Sequence, residues 1–283
     1  MRSKLFVPGS RPELFAKAMA SEADGLSFDL EDAVDESRKD EARAILGEFL
    51  RSLPAGHGKT IIVRVNGLAT RHFEKDLEAV MCDALDIVNL PKPDSPDDVR
   101  ACAAALDRID PAAGVGILAN IETPRAYRLA AEIATASSRV VGLQAGWGDL
   151  IEPLDIDRYN PATIEACLLH IRIAAGEAGA WAYDGAYANF KDVEGYKREA
   201  EASRRLGYLG KSCIHPTQVP LANAAFRPTD AEIAHSLKVV EAAKEMSAKG
   251  IGAFTVNGRM VDGPFIRRAE AIVALARKLE IVK

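Results

Sequence analysis

The stretch GLSFDLEDAVDESRKDEARAILGEFLRS, residues 25–52, contains one predicted strand followed by one predicted helix. Its first part, GLSFDL (25–30), is a short and mostly apolar run of the kind that forms a buried strand. Its last part, SRKDEARAILGEFLRS (37–52), spaces its apolar residues along one face of a helix. The same order recurs along most of the chain. Because parallel neighbouring strands are joined by crossover connections, usually helices, this alternation predicts a parallel sheet.

Eight short runs rich in apolar and β-branched residues are predicted strands, at residues 4–8, 25–30, 60–65, 86–91, 114–122, 139–146, 181–188 and 208–216. Helical stretches lie between them, such as SPDDVRACAAALDRI (95–109), which opens with a serine cap, a proline and two acidic residues. About eight β–α units in roughly 220 residues favour a (β/α)8 TIM barrel over an open doubly wound sheet. We expect this barrel to occupy residues 1–226 and to carry the active site.

The pattern changes after the eighth unit. Residues 230–250 predict one long helix, and AFTVNGRMVDGP (253–264) joins two apolar runs through Asn257-Gly258, which is a strong hairpin signal. A last helix follows at 264–280. Residues 227–283 are therefore a predicted C-terminal helix–hairpin–helix extension. A hairpin outside a closed barrel has no sheet of its own to join, so we expect it to reach the barrel mouth or a neighbouring subunit of an oligomer.

Composition restricts the possible partners. The chain has 283 residues, of which 48% are hydrophobic and 27% charged, as in ordinary globular proteins. Its net charge of −5 argues against nucleic acid or an anionic membrane as the main partner. The four cysteines show no CxxC spacing, and no apolar run has the length of a membrane span. These features predict a cytoplasmic protein with reduced cysteines and no signal peptide.

Charged residues follow five consecutive predicted strands. In a (β/α)8 barrel the active site forms at the carboxyl ends of the strands, so these side chains are expected to surround one cavity. In chain order they are Asp29, Glu31 and Asp32 at the end of the second strand, Arg64 at the third, with the neutral Asn66 beside it, Lys92 after the fourth, Glu122 after the fifth and Asp149 after the sixth. Several carboxylates and two cations would thus meet at one rim.

Carboxylates crowded in this way require a counter-charge. A hard divalent cation suits them, and Mg²⁺ is the predicted ion, with Mn²⁺ as an alternative, because Mg²⁺ binds through one or two carboxylates and keeps several waters. Glu122 and Asp149 are the predicted metal ligands, and Glu31 and Asp32 are expected to accept hydrogen bonds from metal-bound waters. The alternative is that the acidic run 29–32 only caps the following helix, where negative charge favours the helix dipole.

Seven stretches together resemble one protein family: RSKLFVPGSRPELFAKA, GLSFDLEDAV, IIVRVN, VNLPK, ANIETP, GKSCIHPTQV and VNGRMVDGPFIRRAE. This is the citrate lyase β-subunit-like family, also described as HpcH/HpaI aldolase/citrate lyase, which includes malyl-CoA and citramalyl-CoA lyases. The stretches occur nearly end to end and in the family's order. The resemblance implies a barrel lyase, usually trimeric or hexameric, that uses Mg²⁺ to cleave a carbon–carbon bond in a 3-hydroxyacyl thioester.

The resemblance also implies roles for individual residues. Glu122 and Asp149 match the family's metal ligands, and Glu122 would also bind the substrate. Arg64 matches the family's arginine that binds the substrate and takes part in catalysis. Asp262, in the predicted hairpin, would be a catalytic acid or base delivered from a neighbouring subunit. From the residues alone, the preferred interpretation of Asp262 is a turn residue in VDGP (261–264), because Asp-Gly favours turns.

The sequence indicates the type of reaction more precisely than the identity of the substrate. Trp147 and the loop in GLQAGWGDLIEPLDID (142–157) depart from the family stretch and border the predicted cavity. The anionic coenzyme predicts a basic edge, for which Lys4, Arg11 and Lys17 are candidates, and PGSRPE (8–13) could offer backbone N–H groups to a phosphate. The alternative for this segment is an ordinary surface loop that enters a helix.

The predicted reaction releases a 2-oxo acid and an acyl-CoA from a malyl-, citramalyl- or citryl-CoA type of thioester. Two alternatives remain. One is a metal-dependent aldolase that acts on free hydroxy-oxo acids, and the other is a citrate lyase β subunit that acts on an acyl-carrier-protein thioester. Expected partners are therefore a CoA thioester or a small 2-oxo acid, and copies of the same chain in a homotrimer or homohexamer. An acyl-carrier subunit would be a partner in the citrate lyase alternative.

Overall fold

Eight parallel strands form one curved sheet. The computed structural model describes residues 1–112 and 114–282, and its strands pair in the order β7-β6-β5-β4-β3-β2-β1-β8. The strand bounds are β1 Ser3–Pro8, β2 Gly25–Asp29, β3 Thr60–Arg64, β4 Ile87–Leu90, β5 Gly116–Ile121, β6 Val140–Ala145, β7 Trp181–Tyr183 and β8 Lys211–Cys213. Every neighbouring pair in this order is parallel.

The two ends of this sheet meet and close the barrel. Asp184, directly after β7, forms a parallel bridge with Lys211 at the start of β8. The Asp184 N–H donates to the Gly210 carbonyl at 2.9 Å, and the Ser212 N–H donates to the Asp184 carbonyl at 3.0 Å. The predicted (β/α)8 TIM barrel is therefore confirmed.

Helices and short helical turns connect successive strands. The α-helices are α1 Phe15–Met19, α2 Lys39–Ser52, α3 Phe73–Val80, α4 Pro96–Ile109, α5 Pro124–Arg128, α6 Ala130–Ala134, α7 Trp147–Ile151, α8 Pro161–Glu177, α9 Val193–Arg205 and α10 Gln218–Ala225. Helix α4 shows why such segments begin where they do. Ser95 accepts from the Asp98 N–H, the Asp98 side chain accepts from the Ser95 N–H, and Pro96 holds the first position.

The barrel interior changes from apolar to polar along the strands. Ile62, Ile87 and Leu118 form a small buried cluster inside the barrel. Side chains on one face of a strand recur every second residue, so the next interior positions towards the carboxyl ends are Arg64, Asn89 and Asn120. Asn89 and Asn120 are almost completely buried. The sequence thus places polar side chains at the end of the barrel where the active site was predicted.

The last two strands are shorter than predicted. The sequence predicted strands at 181–188 and 208–216, whereas the sheet contains only Trp181–Tyr183 and Lys211–Cys213. Tyr187 lies in the loop after β7 but is only 4% exposed. This loop therefore contains buried apolar residues, which gave its sequence the pattern of a strand. Gly210 shows the tight packing before β8, because a Cβ there would lie 2.4 Å from the Met1 carbonyl oxygen.

A second compact unit follows the barrel. The chain divides into Met1–Phe226 and Arg227–Lys283. The second unit contains α11 Asp230–Ala248, the antiparallel strands β9 Phe254–Val256 and β10 Arg259–Val261, and α12 Gly263–Lys278. Asn257 and Gly258 join the two strands with φ of 51° and 75°, the left-handed geometry of a two-residue hairpin. The predicted helix–hairpin–helix extension is present. No helix in the described parts of the chain has the length and apolar character needed to span a membrane.

A buried ion-pair network joins β8 to its surroundings. The ammonium of Lys211 is fully buried, 2.7 Å from Asp184 and 2.5 Å from Glu199. Arg158 donates to both oxygens of Glu199 at 2.8 Å. Burial alone would lower the pKa of Lys211, but the charges of Asp184 and Glu199 outweigh it and raise that pKa above its usual value. The ammonium is therefore charged, and its charge is matched.

We predict that Lys211→Met lowers the free energy of unfolding by about 3–5 kcal/mol, because it removes the cation from the fully buried Asp184 and leaves Glu199 with Arg158 alone. Urea denaturation followed by circular dichroism measures this loss. Lys197→Met is the matched control, since the side chain of that lysine on α9 is 43% exposed and its ion pair with Glu194 is a surface pair. A loss for Lys211→Met as small as that of the control would contradict a stabilising role for the network.

Candidate active site

Arg64 forms the centre of a charged cluster at the carboxyl end of the barrel. It ends β3 beside Asp29, the last residue of β2, and the two are register partners. Its Nε and Nη2 donate to the two Asp29 oxygens at 2.8 and 2.6 Å, and its Nη1 lies 2.9 Å from Glu31 Oε2. The Arg64 side chain is only 14% exposed. Two-pronged pairing holds the guanidinium in one orientation.

The acidic run after β2 does not serve as a helix cap. Asp29 accepts from the Glu31 N–H at 3.0 Å and from the Ala33 N–H at 3.3 Å, which folds the loop back on its own side chain. Helix α2 starts only at Lys39, after a short turn capped by Asp35. The capping alternative is therefore wrong for this run, and the partner of Asp29 is Arg64.

Lys92 was noted in the sequence as a strand-end charge without a role. Its backbone N–H donates to Glu122 Oε1 at 2.9 Å. Its ammonium lies 3.2 Å from Asp149 Oδ1, 3.4 Å from Glu31 Oε1 and 3.9 Å from Asp32 Oδ2. Burial would lower the pKa of Lys92, but these carboxylates outweigh that effect and raise it. The sequence signal for this position was only a lysine after a strand.

Glu122 is the more buried of the two predicted metal ligands, with 2% of its surface exposed. Burial, followed by the negative charges of Glu31 and Asp149, raises the pKa of Glu122 to about 7, although Arg64 opposes the shift. Gly146 makes this position possible, since a Cβ there would lie 2.3 Å from the Glu122 Cβ. The loop after β6 thus packs directly against Glu122.

Asp149 completes the pair of predicted metal ligands. It lies in the first turn of α7, just after β6, and its side chain is 44% exposed. Glu122 and Asp149 both contact Lys92, one through its backbone N–H and the other through its ammonium. The two carboxylates are therefore at the same rim of the barrel and close enough to influence each other's charge.

The donor set suits a hydrated hard cation. Among the described residues, no three His, Cys, Asp or Glu side chains could surround a metal ion together. Two carboxylates are nevertheless sufficient for Mg²⁺, or for Mn²⁺ with similar oxygen preference, because waters and substrate oxygens complete the coordination. Burial, and after it the negative charges of Glu31 and Asp149, raise the pKa of Glu122 to about 7, and a divalent cation beside this carboxylate would oppose that shift.

Other predicted residues lie in different surroundings. Glu31 is nearly buried beside Arg64, whereas the Asp32 side chain is 60% exposed. The Asn66 amide donates to the Leu30 carbonyl at 2.9 Å and to Asp76, and so holds the loops rather than facing a ligand. Asp262 takes the N-cap position of α12 in the second unit, but its side chain makes no capping hydrogen bond.

The predicted basic edge requires a correction. Lys4 is completely buried inside the barrel, where its ammonium donates to Gln144 and lies 4.7 Å from the centre of the Phe6 ring. Burial lowers its pKa well below the usual value. Lys4 therefore does not belong to an exposed edge. Arg11 and Lys17 are exposed, and their role at a coenzyme stays a prediction.

Comparisons with known proteins agree with the fold and the motifs. The sequence model of the HpcH/HpaI aldolase/citrate lyase family matches residues 2–216. Citrate lyase subunit beta of Escherichia coli K12 is 38% identical over 282 residues, covering 97% of this chain and 93% of the relative. A (3S)-malyl-CoA thioesterase of Cereibacter sphaeroides (strain ATCC 17029) is 37% identical over 284 residues, covering 98% and 95%.

Comparisons with solved structures indicate the same family. Mycobacterium tuberculosis CitE, in complex with magnesium, acetoacetate and coenzyme A, superposes with a TM-score of 0.77 at 33% identity and covers 98% of this chain and 100% of that one. The citrate lyase beta subunit of the same organism, with oxaloacetate and magnesium, gives 0.68 at 35% identity, covering 80% and 97%. The resemblance inferred from the sequence motifs is confirmed. The chain is an enzyme of the HpcH/HpaI aldolase/citrate lyase family.

Proposed function

We propose that the chain is a Mg²⁺-dependent lyase that cleaves a 3-hydroxyacyl-CoA thioester into a 2-oxo acid and an acyl-CoA. The observation that carries this proposal is the placement of Glu122 and Asp149 around one residue, Lys92, beside the fixed guanidinium of Arg64. The magnesium, coenzyme A and oxaloacetate present in the solved relatives support the choice of ion and substrate class.

Glu122 and Asp149 would hold the cation in this proposal. When bound, Mg²⁺ supplies Lewis acidity that polarises a chelated hydroxyl and carboxylate. Glu31 and Asp32 lie 3.4 and 3.9 Å from the Lys92 ammonium and would accept hydrogen bonds from water near the ion. The buried Glu122 contributes a negative charge in a poorly solvated place, which strengthens its attraction for a cation.

Arg64 would bind the oxygen on which negative charge develops. Asp29 takes two of its donors and leaves Nη1 directed towards Glu31. A guanidinium held in this way needs little reorganisation during the reaction, which is the property of an effective oxyanion donor.

Asp262 would exchange a proton with the enolate carbon of the thioester product, from the second unit of a neighbouring copy. Its side chain is not used as a cap of α12. Met260 and Phe265, close to it in sequence, are 66% and 54% exposed, and exposed apolar side chains of this size favour a contact with another chain. A homotrimer or homohexamer would provide that contact, and Arg11 and Lys17 would lie near the anionic coenzyme.

The relatives favour two specific alternatives. The Escherichia coli relative is a citrate lyase subunit beta, which supports a substrate carried by an acyl-carrier protein. The Cereibacter relative is a (3S)-malyl-CoA thioesterase, which supports hydrolysis of the thioester. An aldolase for free hydroxy-oxo acids is the third possibility. All four activities differ in substrate or product, so one set of assays separates them.

The test is a panel of malyl-, methylmalyl-, citramalyl- and citryl-CoA and of free 4-hydroxy-2-oxo acids, with and without Mg²⁺. A lyase releases 2-oxo acid and keeps the thioester, whereas a thioesterase releases free thiol and no 2-oxo acid. Turnover of free acids alone would identify an aldolase. Inactivity on every CoA ester, with copurification of carrier and transferase subunits, would identify the citrate lyase subunit and refute the proposal.

We predict that Arg64→Ala lowers kcat on the best substrate by about 10²–10³, the usual loss for one oxyanion donor. Arg71→Ala is the control, because Arg71 is an exposed arginine with a 73% exposed side chain. Thermal unfolding should be recorded alongside, since Asp29 loses its partner in the first variant. A kcat within fivefold of the wild type would remove Arg64 from the mechanism.

We predict that Gly146→Ala weakens Mg²⁺ binding by about tenfold or more, as expected when a group that orients a ligand is disturbed. The new methyl group would collide with Glu122, whereas Gly148→Ala adds a methyl group with no neighbour within 4 Å. Isothermal titration calorimetry compares the two variants. Equal affinities would show that Glu122 does not hold the ion.

The pKa of Glu122, raised to about 7, predicts the pH dependence of metal binding. Below this pKa the carboxyl group is protonated and must lose its proton before it can bind the cation, so affinity falls with decreasing pH. Calorimetry should give a Kd for Mg²⁺ about tenfold weaker at pH 6 than at pH 8. A constant Kd over this range would contradict the assignment.

A further inference from the structure

Lys92 places a positive charge where a metal ion is proposed to bind. Its ammonium lies 3.2 Å from Asp149 Oδ1 and 3.4 Å from Glu31 Oε1, while its backbone N–H donates to Glu122 Oε1 at 2.9 Å. One residue thus contacts both carboxylates assigned to the metal. The two contacts come from different parts of the residue, so they can change independently.

The backbone of Lys92 is in a conformation that lysine rarely adopts. Its φ is +47°, in the left-handed region, and it stands between Pro91 and Pro93. Such strain persists only where the surroundings impose it, and it is concentrated at functional sites. Here the conformation directs the N–H towards Glu122 and the side chain towards Asp149.

We infer that Lys92 acts as a counter-ion that is exchanged for the metal. Its ammonium neutralises Asp149 and Glu31 while the metal is absent, and withdraws from Asp149 when the divalent cation binds. Its backbone N–H holds Glu122 in both states. Lys92 is thus a positioning residue that sets the affinity for the metal; this inference rests on the metal site of the proposed function.

Electrostatics and flexibility support the exchange. Mg²⁺ binds carboxylate oxygens at about 2.1 Å, so an ammonium that shares the same oxygen would stay within a few ångströms of the ion and repel it. The Lys92 side chain is 38% exposed and Asp149 is 44% exposed, so the flexible stem can turn towards solvent without disturbing packed groups. Arg64 cannot move in this way, because both oxygens of Asp29 hold it.

A different role for the ammonium makes the opposite prediction. If Lys92 remained beside Asp149 and contacted the substrate, the metal and the ammonium would occupy the rim together. Removing the charge would then leave metal affinity unchanged or, if Lys92 helped to order the carboxylates, would weaken it. The sign of the change in affinity therefore separates the two roles.

The test is the affinity of the full-length chain for Mg²⁺ alone, measured by calorimetry at pH 8. We expect Lys92→Met, which keeps the stem without the charge, to bind Mg²⁺ about tenfold more tightly. Lys92→Arg keeps the charge and should not bind more tightly than the wild type. Lys75→Met, at an exposed position on α3, is the matched control and should be unchanged. Thermal unfolding without metal should occur at a lower temperature in Lys92→Met, and saturating Mg²⁺ should restore it.

An unchanged or weaker affinity of Lys92→Met would overturn the inference while the metal site itself stands. Failure of the wild type to bind Mg²⁺ at all would refute the site, and the inference with it. If Lys92→Met does not fold, crystal structures of the wild type with and without Mg²⁺ decide. Separation of Nζ from Asp149 by more than about 4 Å in the loaded crystal supports the exchange, and retention of the ion pair overturns it.

Discussion

The pairing of Arg64 with Asp29 is the interaction on which the site depends. It joins the ends of β2 and β3, and Asp29 also accepts a hydrogen bond from the Glu31 N–H, so the same carboxylate fixes the guanidinium and the start of the loop that carries Glu31. Burial of a carboxylate without a cation costs several kcal/mol, so acidic residues can converge at this rim only with compensating charge. Arg64 and Lys92 supply part of it. The pKa of Glu122, raised to about 7 by burial and by its acidic neighbours, shows that compensation is incomplete.

The barrel contains a second charge network with the opposite character. Near β7 and β8, Lys211 contacts Asp184 and Glu199, and Arg158 pairs with Glu199 through two hydrogen bonds. Opposite charges are matched there, and the backbone bridge of Asp184 closes the barrel. The two networks therefore have different functions. The matched one stabilises the closed sheet, and the unmatched one leaves negative charge available to a cation at the neighbouring strand ends.

Sequence periodicity predicted most of the fold. Apolar runs and turn residues located eight strands, and Asn257-Gly258 located the hairpin because both residues adopt positive φ. Active sites of (β/α)8 barrels form at the carboxyl ends of the strands, and from this rule the sequence predicted that Arg64, Glu122 and Asp149 lie at the same rim. Lys4 was misplaced, although its alternation with Phe6 along β1 indicates the interior face. The contacts of Lys92 were not predictable, since no sequence pattern indicates that a lysine between two prolines adopts the left-handed conformation.

Anomalous diffraction from crystals soaked in Mn²⁺ is the direct test of whether Glu122 and Asp149 share one hard cation. One strong anomalous peak is expected at the barrel rim, about 2.1–2.3 Å from an oxygen of each carboxylate, with waters completing the coordination. A peak bound to only one of these carboxylates, a peak elsewhere in the barrel, or no peak at saturating Mn²⁺ would contradict this shared site.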